Sequence, residues 1–203
     1  MTRIFDLTLT GHVSLDLVNT IDWRSSSAPR ELLNSYSDLL RWGRHTGLIK
    51  DQEARRLMIE AEKYPQKGDA ALKRAVMLRE TLFRIFSAAA NKRQAEAADL
   101  NSLNQRLSDA LSRLRLRPGR EEYLWEWKCS DADLERMLWP VVRSASELLT
   151  SAHLSLLRQC PGEGCAWLFM DTSRNKSRRW CTMEICGNRS KARRHYEQIR
   201  AGV

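Results

Sequence analysis

Apolar residues recur at two different spacings along this chain, and the changeovers mark its elements. Residues 4–10, Ile-Phe-Asp-Leu-Thr-Leu-Thr, alternate apolar and polar as a short strand does, and Gly11 then turns the chain. From Tyr36 to Thr46 the positions Leu39, Leu40 and Trp42 share one side of a helix, with Gly47 placed at its C-terminal cap. Asp51 is placed to cap a second helix that reaches about Lys63, and Pro65 and Gly68 mark a break after it. Leu72, Ala75, Val76, Leu82, Phe83, Phe86 and Ala89 keep helical spacing from Asp69 to Lys92 and predict the core helix. A further helix from about Ala95 to Leu111 carries Leu100, Leu103, Leu107 and Leu111 at intervals of three and four, the spacing of a core stripe.

The period then drops to two. Leu114 and Leu116, then Tyr123, Trp125 and Trp127 on the far side of Pro118-Gly119, predict a hairpin near 112–128 with arginines and glutamates outside. A tryptophan ladder facing the core is the commoner use of such a strand, and an exposed strand that stacks bases is the alternative. Ser130 or Asp131 opens a last long helix with Leu134, Met137, Leu138, Val141, Val142, Ala145, Leu148 and Leu149 on one stripe, kinked at Pro140. A short helix from Ser151 to Arg158 follows. The expected fold is mainly α with a small β-hairpin (α+β), an α-rich unit over residues 1–158 and a compact module over 159–203. No repeat, low-complexity tract or flexible linker separates the two, so the module is expected to pack on the helical unit rather than swing.

One stretch breaks the apolar pattern with polar groups. Asp16, Asn19 and Thr20 interrupt the run from His12 to Thr20, with Asp22, Trp23 and Arg24 just beyond. Burying a carboxylate or an amide costs several kcal/mol unless it is hydrogen-bonded. Asp16, Asn19, Trp23 and Arg24 therefore either hold the serine-rich loop from Arg24 to Pro29 or line a small-ligand pocket, and the structural role is the commoner one.

The module's chemistry is carried by cysteine. Cys160 and Cys165, then Cys181 and Cys186, form two Cys-x4-Cys pairs separated by fifteen residues. Each pair brings two sulfurs together on a knuckle, and the intervening loop closes the set, which is four-thiolate metal spacing. Zinc suits four tetrahedral thiolates; two disulfides or four unrelated buried cysteines are the alternatives. Disulfides need an oxidising compartment, whereas the chain starts Met-Thr-Arg-Ile-Phe-Asp with no apolar signal segment, so a reducing cytoplasm is expected. Four cysteines leave no coordination position for water, which predicts one structural rather than catalytic Zn2+. Cys129 stands outside the set, as an expected reduced, partly buried thiol.

Charge concentrates in the same place. Arg174, Lys176, Arg178, Arg179, Arg189, Lys191, Arg193, Arg194 and Arg200 are opposed only by Glu184 and Glu197, so this window carries +7 of the chain's +9. The rest of the chain holds 25 basic against 23 acidic residues. Such a patch on a metal-nucleated module is an electrostatic footprint for nucleic acid. Asn188 is placed to cap a helix from Arg189 to about Arg200. Arg189, Arg193, Tyr196 and Arg200 then share one stripe, and Ala192, His195 and Ile199 a neighbouring one that could pack on the module. Trp167, Phe169 and Trp180 are expected to form the module's own apolar core.

The segment from Trp167 through Asp171, Arg174, Arg178, Arg179 and Trp180 to Cys181, followed by Cys186-Gly-Asn-Arg189 and Ser-Lys-Ala-Arg-Arg-His195, resembles the CGNR-type zinc finger. Ser14-Leu-Asp16-Leu-Val-Asn19-Thr20 is similar to the signature of the ABATE domain, the N-terminal part of the same bacterial family, described in terms of stress-induced transcription regulation. The resemblance covers nearly the whole chain. It implies zinc held by Cys160, Cys165, Cys181 and Cys186, and DNA as partner.

Other chemistries find no support. His12, His45, His153 and His195 are scattered, and there is no metalloprotease pair, dinucleotide fingerprint or phosphate-binding Gly-Lys-Ser/Thr loop. No run of eighteen apolar residues suggests a membrane span. The expectation is a non-enzymatic, cytoplasmic, double-stranded-DNA-binding transcription regulator whose N-terminal unit senses a small-molecule effector or forms a homodimer. An RNA- or ribosome-associated protein and a module docking an acidic protein are the alternatives.

Overall fold

The helix α1 (Val13–Val18) sits where the helical layers meet, because five of its six residues are buried. The computed structural model describes residues 10–200, and the strand expected over 4–10 falls, apart from Thr10, outside them. Helix α2 (Tyr36–His45) opens on reciprocal caps: Asp38 N–H donates to Ser35 Oγ at 3.2 Å, and Asn34 N–H donates to the Asp38 carboxylate at 3.0 Å. It ends as expected at Gly47, whose φ of 75° is the left-handed conformation that favours glycine.

Helix α3 (Asp51–Lys63) corrects the expected cap. Lys50 is the residue before the helix, and its N–H donates to Glu53 Oε2 at 2.9 Å, while Asp51 is already helical and pairs with Arg44. Helix α4 (Pro65–Ala90) starts four residues earlier than the pattern predicts. Pro65 stands in its first turn, where no backbone donor is needed, and Gly68 lies inside the helix, close to Ala61 and Tyr36, rather than at a break. Helix α5 (Ala97–Leu111) buries Leu103, but Leu100 and Leu111 are exposed, so its leucines are only partly a core stripe.

Strands β1 (Ile21–Asp22) and β2 (Arg30–Glu31) form a small antiparallel clasp. Strands β3 (Leu114–Pro118) and β4 (Tyr123–Trp127) form the predicted hairpin in the register Leu116 opposite Trp125. Its aromatic face, however, does not enter the core: Leu116, Tyr123 and Trp125 are exposed, Leu114 and Trp127 are half-buried, the Trp127 ring lies 6.0 Å from that of Trp139, and Arg143 lies 5.4 Å over the Trp125 ring. Residues 130–137 form turns, and helix α6 (Leu138–Thr150) begins after them. Pro140 therefore sits in the first turn of α6 and does not kink a longer helix. A 3-10 turn (Ala152–Leu156) and strand β5 (Leu157–Gln159) replace the short helix expected at 151–158.

Strand β5 pairs antiparallel with β6 (Leu168–Met170), and both lie against the helical layers. Leu157, Leu168 and Met170 belong to the same apolar core as Leu15, Leu39, Leu82, Phe86 and Leu148. The cysteine module is thus continuous with the helical core. Beyond it, one π-type turn (Met183–Gly187) runs directly into helix α7 (Asn188–Arg200). Asn188 is helical, at φ −66° and ψ −40°, and does not cap α7; Thr182 accepts the turn's first bond, from Ile185 N–H at 3.3 Å. No helix among the described residues is long and apolar enough to cross a membrane.

Candidate metal centre and basic surface

The first knuckle is built on a tight turn. Cys165 N–H donates to Gly162 O at 2.9 Å, and Cys160 N–H pairs with Trp167 O at 2.8 Å, which folds Cys160 and Cys165 toward each other. Gly162 leaves little room: a Cβ there would lie 3.0 Å from Cys186 Sγ, so the sulfur would have to give by a few tenths of an ångström. The second knuckle is the π-type turn, and at Gly187 a Cβ would meet Met183 Sδ at 2.3 Å. Four sulfurs result, all buried and all within 4.8 Å of one another. Cys165 and Cys181 sulfurs are 3.6 Å apart and those of Cys181 and Cys186 3.5 Å. A disulfide needs about 2.05 Å, whereas sulfurs around a tetrahedral zinc at about 2.3 Å lie about 3.8 Å apart. Cys160, Cys165, Cys181 and Cys186 are positioned to hold one structural zinc ion. The fifth cysteine, Cys129, is exposed rather than partly buried.

The protonation of the set fits a cation. Hydrogen bonds from the Cys165 and Cys181 thiols draw Cys160 down to about 2. The bond with Cys160 pushes Cys165 up, and bonds with Cys160 and Cys165 push Cys181 far up. Burial raises Cys186. One thiolate is thus easy to form and the next ones are resisted by it, which a divalent cation reverses. The Cys181 N–H lies 3.4 Å from Cys160 Sγ and supplies a backbone dipole to the sulfurs.

Phe169, buried, and the half-buried Trp23, Trp167 and Trp180 pack around the cysteines. Trp167, Phe169 and Trp180 are where the sequence pattern places them; Trp23 is the addition, reaching in from the N-terminal half with a φ of 53°. Three of the four N-terminal candidates make hydrogen-bonded ties, and the fourth, Trp23, lines the cleft beside the cysteines. Asp16 accepts from Thr10 N–H and Oγ1, each at 2.8 Å, while burial raises its pKa. Asn19 makes two hydrogen bonds to the Leu168 backbone. Arg24 pairs with Glu80 at 2.5 Å, donates to Val18 O at 3.1 Å and lies over the Phe83 ring. Ser25 N–H donates to Gly164 O at 3.0 Å, so the loop after Trp23 straps the first knuckle. Beneath it, Arg79 is buried in a bidentate pair with Glu31 at 2.6 and 2.7 Å. Arg79 sits on a segment that the sequence pattern treats as an amphipathic helix, and Glu31 lies between the predicted elements, so nothing marks them in advance.

The nine basic candidates divide by what they touch. Arg178 is exposed but tied to the module: its Nε donates to Trp180 O at 3.0 Å, its guanidinium also bonds Cys181 O, and it covers the Phe169 ring. Its neighbour Asp171, buried, organises the preceding loop by accepting from Ser173 Oγ at 2.5 Å and from Ser173 and Arg178 N–H at 3.1 Å. Burial pushes Asp171 up, yet these bonds together hold its carboxyl below the usual range. Arg189 lies 4.1 Å above the Trp23 ring, Arg179 4.9 Å above Trp180, and Arg193 pairs with Glu163 and Glu197. The stripe Arg189, Arg193, Tyr196 and Arg200 therefore lines a cleft of about 730 Å³ against Trp23, Glu163 and Trp180. Ala192, His195 and Ile199 are exposed and do not pack on the module. Arg174, Lys176, Lys191 and Arg194 are exposed and make no ion pair among the described residues.

Comparison with protein-family models matches residues 11–152 to ABATE, described as "Putative stress-induced transcription regulator", and residues 157–198 to the CGNR zinc finger. No curated protein matches the chain.

Proposed function

The chain belongs to the ABATE family and carries a CGNR zinc finger, and from that premise we propose that it is a transcription regulator that binds double-stranded DNA through the finger. One observation carries the reading: +7 of the chain's +9 lies within 27 residues, 174–200, wrapped around a metal-fixed scaffold. Zinc sets the backbone, and the loop ordered by Asp171 together with α7 displays the cations on it. Arg174, Lys176, Lys191 and Arg194 are the phosphate contacts. Arg189 and Arg193 are second-line contacts, since each must leave Trp23 or Glu163 to reach DNA. Arg179 and Arg200 flank the cleft and steer by charge, and Arg178 holds the finger together.

Functionally the chain divides at 1–158 and 159–203. The first unit regulates and the second binds, with the strap from Trp23 to Arg30 joining them. Asn19 is occupied in holding β6, Arg24 in holding the strap and Asp16 in holding Thr10, which favours assembly over effector binding as the N-terminal role. The protein acts in the cytoplasm. Competition between random-sequence duplex DNA and a structured RNA of equal length tests the assignment. Duplex preference is expected; preference for the RNA would move the function to an RNA- or ribosome-associated role. Capture of neither, with salt-insensitive binding to an acidic protein, would leave an interaction module.

A further inference from the structure

The hairpin β3–β4 projects with both edges unpaired among the described residues. Leu116 and Trp125 are each 57 % exposed and Tyr123 74 %. Bare edges and exposed aromatic faces invite strand addition, and proteins normally cover or charge them. The hydrogen-bonding phase of the ladder says which edge is competent. Lys128 N–H donates to Arg113 O and Gly119 N–H to Glu122 O, each at 2.7 Å, so with a regular antiparallel alternation Arg115–Glu126 and Arg117–Leu124 are also bonded pairs. Tyr123, Trp125 and Trp127 therefore point their N–H and C=O groups out of the open edge of β4. On the β3 edge the corresponding residues are Leu114, Leu116 and Pro118, and Pro118 has no donor.

We propose that the open edge of β4 is a homodimer interface, at which two copies pair antiparallel about a two-fold axis through Trp125. In that register Trp125 faces Trp125 of the second copy, and Tyr123 faces Trp127. Glu122 and Lys128 face each other at both ends, and Leu124 lies opposite Glu126. Charge selects this register over its neighbours. Shifting the pairing by two residues one way sets Glu122 opposite Glu126 and Arg120 opposite Lys128; shifting it the other way sets Glu126 opposite its own copy. Pairing through β3 about Leu116 sets Arg115 opposite Arg117. Among these registers, the one about Trp125 combines a full set of outward donors with no like charges opposed. It yields a four-stranded sheet with its aromatic residues on one face, which answers the marginal stability of an isolated hairpin. The interface lies on the ABATE part of the chain and uses none of the finger's basic residues, so it does not depend on the DNA-binding proposal.

The test uses the full chain with zinc bound. Sedimentation across a concentration series is expected to show a monomer–dimer equilibrium, and Trp125→Lys, which places like charges across the axis, is expected to weaken it by about tenfold or more. Because that variant also alters the hairpin itself, a second arm works in a Cys129→Ser background. Directly opposed, hydrogen-bonded strand residues have Cα atoms about 5.5 Å apart, within disulfide reach. Trp125→Cys should therefore cross-link two copies under mild oxidation, and Leu116→Cys should not. A monomer at all concentrations overturns the proposal. So does a dimer that survives Trp125→Lys, or equal cross-linking by Trp125→Cys and Leu116→Cys.

Discussion

The side-chain amide of Asn19 pairs with the backbone of Leu168 as a neighbouring strand would: its Nδ2 donates to Leu168 O at 2.8 Å, and Leu168 N–H donates to its Oδ1 at 3.0 Å. All of these atoms are buried, so one residue at the end of α1 supplies the missing partner for β6 and fixes the finger to the helical core. Asn19→Ala should leave two buried backbone groups unpaired and cost about 2–4 kcal/mol in urea unfolding. Asn19→Asp should be at least as damaging, because its carboxylate cannot donate to Leu168 O. Equal stability of wild type and both variants would show that the tie contributes nothing.

Arg178 is predicted to act on zinc retention rather than on nucleic acid. Its guanidinium spans the Trp180 and Cys181 carbonyls while covering Phe169. Arg178→Ala should speed zinc transfer to a colorimetric chelator several-fold. Arg178→Lys should not rescue it, because an ammonium cannot bridge two carbonyls and stack at once. Unchanged transfer rates in both variants would return Arg178 to the list of surface cations.

Asp171 gives the finger a defined pH response. Its carboxyl is held below its unfolded value, so it contributes stability in full above about pH 4, the ordinary aspartate range, and loses it as pH falls through the lowered folded value. Asp171→Asn should be less stable than wild type by about 1–3 kcal/mol at neutral pH. That gap should close in acid. Comparing the two proteins at each pH cancels thiolate protonation, which they share. A gap independent of pH would contradict the role given to the charge.

Zinc removal should reach beyond the finger. Leu157, Leu168 and Met170 sit in the main core, so chelation is expected to lower the melting temperature of the helical unit as well as abolish the near-ultraviolet signal of Trp167 and Trp180. Gly162→Ala should do the same more weakly, since its Cβ would press on Cys186 Sγ. A helical unit with an unchanged melting temperature after zinc loss would mean the two parts are energetically separate.

What the sequence makes legible is what short-range rules govern. The four cysteines, α2 with its Gly47 stop, and the β3–β4 pairing follow from local spacing. Proline and glycine mislead where their tolerated positions are used: Pro65 and Pro140 occupy first turns, and Gly68 serves close packing inside α4. Asn188 looks like a cap, but the π-type turn carries the helix through it. Partners far apart in sequence leave no local trace. Asn19 reads as an odd polar residue until Leu168 is placed against it, and nothing local shows that Arg189 stacks on Trp23. The hairpin's aromatic residues alternate as a core-facing strand would, and alternation alone cannot say that the covering surface comes from outside the monomer.

The central claim is that the finger's outward cations bind DNA while its inner ones build it. The direct measurement is duplex binding across about 50–200 mM salt for zinc-loaded wild type and for a variant with Arg174, Lys176, Lys191 and Arg194 all changed to alanine. Wild type should show a steep log–log salt slope, and the variant a slope shallower by about 3 to 4 with zinc still bound. An identical slope in both proteins, or no binding by wild type, would contradict the account.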